Sequence, residues 1–284
     1  SPEVTGTILG GVIDHHVHLG LVERDLLADS PVVQVHDLGW DPVAAQGFRA
    51  NPPSGVDVHI VGPFHTAPGG YPTGRKWAPP SAVREIVDAT DASVAVREAV
   101  TRMASGIKVT LHDDFANLSE EVLEALVEEA HVDGLPVLVH AEGPGTVELA
   151  LRVGADVLVH APWTERVPEG LLAASAQMTW ISTLAIHAPA AMEIAIDNIV
   201  RFRALGGTVR YGTDMGNGPT PVGVNNAEIR ALGRAGLHGD ELIDAVTGGP
   251  PALSAPLPRP TDADELIRWL GAARRLPATI QEDE

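Results

Sequence analysis

Short apolar runs separated by amphipathic stretches constrain this chain more than any other feature. Residues 11–13 lead into Asp14-His15-His16-Val17-His18, and further runs occupy 31–38, 56–61, 106–111, 135–140, 155–160, 178–184 and 207–214. Runs this short and this continuous suit strands buried on both faces, as in a parallel sheet. The stretches between them read as helices. One opens at Ser119, an N-cap, with Glu120 and Glu121 in its first turn and Val122, Leu123, Leu126, Val127 and Ala130 at helical spacing. Gly134 is placed to end it. Residues 81–103, with a break near Thr90-Asp91, and residues 190–205 and 225–235 read likewise. Eight strand candidates alternating with helices predict a (β/α)8 TIM-type barrel, and 284 residues are enough for one. A doubly wound sheet would carry a glycine-rich phosphate loop after its first strand, and neither GxGxxG nor GxxxxGK[ST] is there. The expected division is a barrel over 10–253, then a linker, a terminal helix over 262–273 and an acidic tail within 254–284. The Pro- and Gly-rich segment 248–260 is the linker in this reading.

Composition narrows the chemistry. The chain has 0 cysteines, which excludes disulfides, thiolate metal sites and cysteine nucleophiles. A net charge of −19 argues against nucleic acid as a partner. No apolar run reaches the ~18 residues a membrane span needs. No secretion signal is evident at 1–13, so a cytoplasmic setting is expected. The expected partner is a small-molecule substrate, and a homo-oligomer is the one protein assembly left open.

In a barrel the chemistry sits at the C-terminal ends of the strands. The first candidate strand ends in His16 and His18, which share a face because side chains alternate along a strand. The fourth carries Lys108, the fifth ends at His140, the sixth at His160 and the eighth at Asp214. Any one of these is more often structural: a lone histidine makes a hydrogen bond, a lone aspartate caps a helix, and HxH arises by chance. Together they are six metal-compatible groups on five strands, a donor set suited to zinc or a similar divalent ion. Substrate contacts are expected from the loops, with Tyr71, His112 and His187 favoured over His65, Arg75, Asp113, Asp114 and Trp163. Alternation turns His15 away from its neighbours. Asp14 reads equally as a support for the ligands or as a buried structural carboxylate.

These residues resemble the amidohydrolase superfamily, in its dinuclear branch near imidazolonepropionases and metal-dependent prolidases. The resemblance covers roughly 10–253. It rests on the first-strand segment 11–20 with its HxH, on His36-Asp37-Leu38-Gly39, on Ala67-Pro68-Gly69-Gly70-Tyr71 and on Gly106-Ile107-Lys108-Val109. It extends through 129–131 and 139–143, 154–156 and 160–161, and Tyr211-Gly212-Thr213-Asp214. The resemblance implies a hydrolase with two divalent metal ions, zinc the expected pair. His16, His18 and Asp214 would hold one, His140 and His160 the other, and Lys108, as a carbon dioxide-derived carbamate, would bridge them. It implies cleavage of an amide, cyclic amide or peptide-like C–N bond through a metal-bridging hydroxide, with Asp214 as the catalytic acid and base.

Two departures accompany the resemblance. Tyr71 stands where the loop-three motif often has histidine. The flanking β-sandwich usual in such enzymes is not expected: few residues precede the first strand, and Pro256, Pro258 and Pro260 occupy the region of its C-terminal strands. A lactonase or phosphotriesterase-like hydrolase, or a non-catalytic metal-binding relative, are the alternatives. A deaminase fits less well, because Gly143 stands three residues after His140, where such enzymes usually carry glutamate.

Overall fold

The computed structural model describes residues 6–277; the expected acidic tail at 281–284 lies outside the described residues. The strands in chain order are β1 Thr7–Val17, β2 Val32–Asp37, β3 Asp57–Ile60, β4 Phe64–Thr66, β5 Val83–Glu85, β6 Ile107–His112, β7 Val137–Glu142, β8 Val157–Leu158, β9 Thr179–Ile181, β10 Thr208–Arg210, β11 Thr247–Ala255 and β12 Arg274–Arg275. The helices are α1 Pro42–Ala50, α2 Ala89–Thr101, α3 Glu120–Val132, α4 Thr146–Arg152, α5 Glu169–Ala174, α6 Pro189–Ala204, α7 Asn226–Arg234, α8 Gly239–Val246 and α9 Ala263–Ala272. The alternation read from the apolar runs is present.

A seven-stranded sheet runs β10-β9-β8-β7-β6-β4-β5, every pair parallel. A second sheet, β12-β11-β1-β2-β3, is parallel from β1 to β3 and antiparallel at β11 and β12. The sheets meet at two seams. At one, β3 and β4 are successive halves of one bent segment: β3 pairs with β2, and β4 pairs with β6. The bend is at Gly62-Pro63. Gly62 has φ +79°, a region that favours glycine, and proline has no N–H for a ladder. At the other seam the His15 N–H donates to the Tyr211 carbonyl at 3.1 Å and the His18 N–H to the Met215 carbonyl at 2.8 Å. The result is a barrel-like α/β domain.

Helix starts follow the local chemistry. Ser119 caps α3, Asn225 caps α7 and Asp262 caps α9, each through a side-chain oxygen that accepts a backbone N–H. Apolar side chains on the outer faces of the strands pack against the helices, as where Trp180 of β9 stacks on Phe202 of α6 with ring centroids 3.9 Å apart. Inside the strands, Leu38, Val61, Leu138, Val159 and Ile181 form a smaller apolar plug. The polar groups rise above it.

Two sequence expectations are corrected. The helix expected over 81–103 starts only at Ala89, capped by Asp88, and Val83–Glu85 is instead a sheet-edge strand. Parallel pairing of Val83–Glu85 with β4 explains the difference. From β5 the Arg84 guanidinium reaches forward to Asp91 at 2.6 Å and Glu98 at 3.4 Å on α2, a tertiary contact invisible to periodicity. The linker expected over 248–260 is a strand as far as Ala255, paired antiparallel with β1. Its register jumps from Pro251 to Gly248 opposite Gly10 and Gly11, so Gly249 and Pro250 bulge out of the ladder and the missing proline N–H costs no bond. Among the described residues no separate β-sandwich is built. No helix among them is long and apolar enough to cross a membrane.

Candidate functional site

The C-terminal ends of the strands open into a cavity of about 320 Å³. His16, His18, Lys108, His140, His160 and Asp214 all line it, as do Tyr71 and His187. Six residues carried by five segments of the chain therefore converge on one space.

The tightest group is His16, His18 and Asp214, one ligand atom from each lying within 4.8 Å of the others. Second-layer contacts set the tautomers. His16 Nδ1 donates to the Val159 carbonyl at 2.8 Å and His18 Nδ1 to the Gly39 carbonyl at 3.0 Å. A carbonyl accepts only, so both N–H groups point outward and both Nε2 lone pairs point inward. The two Nε2 atoms lie 3.3 Å apart, and 3.4 and 3.2 Å from Asp214 Oδ1. Three acceptors face one another. Asp214 Oδ1 is buried and has no hydrogen-bond partner. Acceptors gathered out of water without a donor are costly, and a shared cation removes that cost. The residues thus fit a divalent metal ion on the chemistry of the donor set.

Backbone geometry aims these groups. Asp214 adopts φ +52°, a left-handed conformation uncommon for a residue with a Cβ. Thr183 does the same at φ +43°, and its Oγ1 lies 2.8 Å from His160 Nδ1. Asp14 accepts from the His16 N–H at 3.1 Å and from the Thr213 N–H and hydroxyl at 3.0 and 2.5 Å. It therefore ties the segment carrying His16 to the segment carrying Asp214. Asn217 Nδ2 donates to Asp214 Oδ2 at 2.8 Å.

Burial sets the electrostatics. It holds His16 and His160 well below the usual histidine range, so both are neutral at pH 7. It opposes ionisation of Asp214, and only positive charge carried at His16, His18 and His160, or by a cation held in their midst, brings that carboxyl well below the usual carboxylate range. Burial pulls the Lys108 amine down to about 7, partly offset by the field of Asp214. Lys108 is only 1% exposed and has no ion pair among the described residues. A neutral fraction of this amine exists near pH 7, which carbamate formation requires. Burial also pushes the Tyr71 hydroxyl up to about 12, with Asp214 and Glu142 adding to the shift, so it stays a donor. His187 is pulled down to about 4 by burial, and its Nε2 is buried without a partner.

His112 stands outside the cavity lining. Its Nδ1 accepts from the Asp114 N–H at 3.1 Å, its Nε2 lies 3.4 Å from Glu142, and its ring backs Tyr71 at 5.3 Å. His112, Asp113 and Asp114 form a second, more exposed group close enough to share an ion. His65 lies on β4 and faces away from the cavity, with Nδ1 donating to the Lys108 carbonyl at 3.0 Å. His15 sits beside His36 at 4.9 Å, toward the other end of the strands. Arg75 lies over Phe115 and Tyr71, outside the lining, whereas Trp163 lines the cavity and stacks on His187 at 4.6 Å.

Sequence reasoning overlooked Glu142, Phe64, Trp77 and Asn217, all of which line the cavity. Glu142 could have been found. It is two residues beyond His140 on β7, so the alternation that paired His16 with His18 puts it on the same face. Trp77 and Asn217 arrive on loops and Phe64 opens the short β4 just after the Gly62-Pro63 bend, where no periodicity marks direction.

No family model matches the chain, and no curated protein sequence matches it. Solved structures do. Ochratoxinase from A. niger is 19% identical with a TM-score of 0.67, over 84% of this chain and 70% of that one. A Xaa-Pro dipeptidase with bound methionine is 20% identical with a TM-score of 0.67, over 84% of this chain and 74% of that one. Phenylurea hydrolase B is 18% identical with a TM-score of 0.67, over 84% and 73%. The chain, whose strand-end motifs resemble the amidohydrolase superfamily, has the fold of amidohydrolase-type enzymes.

Proposed function

We propose that the chain is a metal-dependent amidohydrolase that cleaves an amide, cyclic amide or peptide-like C–N bond within a closed (β/α)8 barrel. The observation that carries the reading is the convergence of His16 Nε2, His18 Nε2 and the partnerless Asp214 Oδ1 at the floor of the cavity. The two hydrogen-bonded seams between the sheets support the closed barrel. Solved structures of this fold include enzymes named as a Xaa-Pro dipeptidase, a molinate hydrolase and a phenylurea hydrolase, names that speak of hydrolysis.

In this reading His16, His18 and Asp214 hold one divalent ion, zinc first among candidates. His140 and His160 would hold a second, and Lys108, as its carbamate, would supply the further anionic oxygens such a pair of ions needs. Such ions, when bound, supply Lewis acidity and lower the pKa of adjacent water. The chain's own residues do the rest. Asp214 takes the proton from the attacking water and delivers it to the leaving nitrogen. The Tyr71 hydroxyl and His187 Nε2, both free of protein partners, bind the polar atoms of the substrate. The apolar plug below and the aromatic side chains above exclude bulk water, which strengthens each of these interactions.

The test is metal analysis of the purified protein and its Lys108→Ala variant, with bicarbonate present, alongside a panel of amides, lactones and phosphotriesters. The expected result is two ions per chain, at most one in Lys108→Ala, and turnover of amides. Two ions and full turnover in the variant would remove the carbamate assignment. Turnover of lactones or phosphotriesters alone would move the substrate class.

A further inference from the structure

The cavity wall above the ligands has a marked asymmetry of charge. Of the charged side chains in its lining, Lys108 and Asp214 are taken up by the proposed ligand set, which leaves Glu142. Among the described residues no arginine lines the cavity. The nearest guanidinium, Arg75, packs on Phe115 at 4.8 Å and Tyr71 at 5.7 Å, outside the lining. A carboxylate-bearing substrate held away from the proposed metal ions calls for a fixed cationic partner, most often arginine, and the wall offers none. What it offers is aromatic. Phe64, Trp77 and Tyr71 pack in sequence on one side, with centroid separations of 5.7 and 6.3 Å. Trp163 stands beside His140 at 5.7 Å and His160 at 5.2 Å.

Glu142 completes the arrangement. Its Oε2 lies 3.2 Å from His140 Nε2 and 3.4 Å from His112 Nε2, and a third of its side chain is exposed. A carboxylate offers about four acceptor positions, so Glu142 has acceptor capacity to spare beside His140 and His112 whether or not His140 serves as a ligand. Aromatic faces beside an underused carboxylate form a receptor for an organic cation: the ring quadrupoles attract it and the carboxylate neutralises it. The chain's net charge of −19 favours the approach of cations.

We infer that the substrate carries a positively charged amine or quaternary ammonium group, held by Glu142 within the rings of Phe64, Tyr71, Trp77 and Trp163, and that Glu142 sets this specificity. The inference rests on the amidohydrolase reading only for the bond that is cut; the cation site itself is testable without any metal. Choline, its neutral isostere 3,3-dimethylbutan-1-ol and the anion 3,3-dimethylbutanoate are titrated into metal-free protein. Binding is followed by the fluorescence of the cavity tryptophans and by ligand NMR. Choline should bind saturably, and about tenfold more tightly than the alcohol, the scale of one cation–aromatic or charge-assisted contact. Glu142→Gln should remove most of that preference, and Trp77→Leu should weaken choline binding independently. Equal binding of choline and the alcohol, tighter binding of the anion, or an unchanged preference in both variants would overturn the inference.

Three anilides ending in trimethylammonium, tert-butyl and carboxylate groups, offered to the metal-loaded protein, link the site to turnover. The ammonium substrate should have the highest kcat/KM; fastest cleavage of the carboxylate would overturn the inference. No cleavage of any of them, alongside Glu142-dependent choline binding, would count against the hydrolase reading while supporting the cation site.

Discussion

Asp214 shows how one residue can be both a conformational expense and a chemical asset. Its left-handed backbone costs on the order of 1–3 kcal/mol for a residue with a side chain. Asp14, through Thr213, and Asn217 hold it in place. Asparagine tolerates the same backbone region and keeps the same shape, so Asp214→Asn should leave the thermal midpoint close to that of the metal-free parent. It removes the anion, however, and with it both the proposed ligand and the proposed proton acceptor. Metal occupancy should fall, and turnover should drop by ~10²–10⁴, the usual weight of an acid–base group. Unchanged turnover at full metal loading would take the proton-transfer role away from Asp214.

At the scale of an element, the turn after β9 depends on a residue far from it in sequence. Glu228 of α7 is buried, and its two oxygens accept the N–H groups of Leu184 at 2.9 Å and Ala185 at 2.6 Å. These are the first N–H groups of a single helical turn over Leu184–Ile186, which would otherwise lack partners. Burial raises the Glu228 carboxyl from its ordinary 4.5 to about 7. Between those values the folded chain keeps a proton that the unfolded chain has lost. Stability therefore falls as pH rises from about 4.5 to about 7, then levels off. Glu228→Gln cannot ionise and should lose this decline, while leaving one N–H without its acceptor at a cost of about 1–3 kcal/mol. Urea unfolding of both proteins at pH 5 and pH 7.5 checks this: the deficit of the variant should shrink at the higher pH. A deficit independent of pH would contradict the raised carboxyl.

At the scale of the molecule, the C-terminal segment fastens the end of the barrel remote from the site. The Arg275 guanidinium donates to the carbonyls of Leu27, Ser30, Val32, Ser54 and Gly55, which flank β2 and the start of β3. Trp269 Nε1 donates to Thr7 Oγ1 at 2.7 Å, and the Thr7 hydroxyl donates to the Leu257 carbonyl at 2.8 Å, tying α9 to the start of β1. Arg275→Ala should lower unfolding stability by about 1–3 kcal/mol, because five carbonyls lose one shared donor that water only partly replaces. Metal uptake should be unaffected, since the ligands lie at the opposite strand ends. A parallel loss of metal binding would mean that the two ends of the barrel are coupled.

Order along the chain was legible because burial on both faces demands continuous apolar runs, and strand-end chemistry must follow them. Thus the strands from His16 to Asp214 and the helix cap at Ser119 could be read from residue types and spacing alone. The sequence could also nominate the six convergent groups, since five end or follow a run and Lys108 is a lone cation inside one. Contacts between distant segments were not legible. The strand at Val83–Glu85 depends on pairing with β4, and the strand at Thr247–Ala255 depends on a bulge that sets Gly249 and Pro250 aside. The inward lone pairs of His16 and His18 depend on carbonyls of Val159 and Gly39, and the cavity wall on rings brought in by bends. Local pattern reports which face a side chain takes; only closure of the chain on itself decides what that face meets.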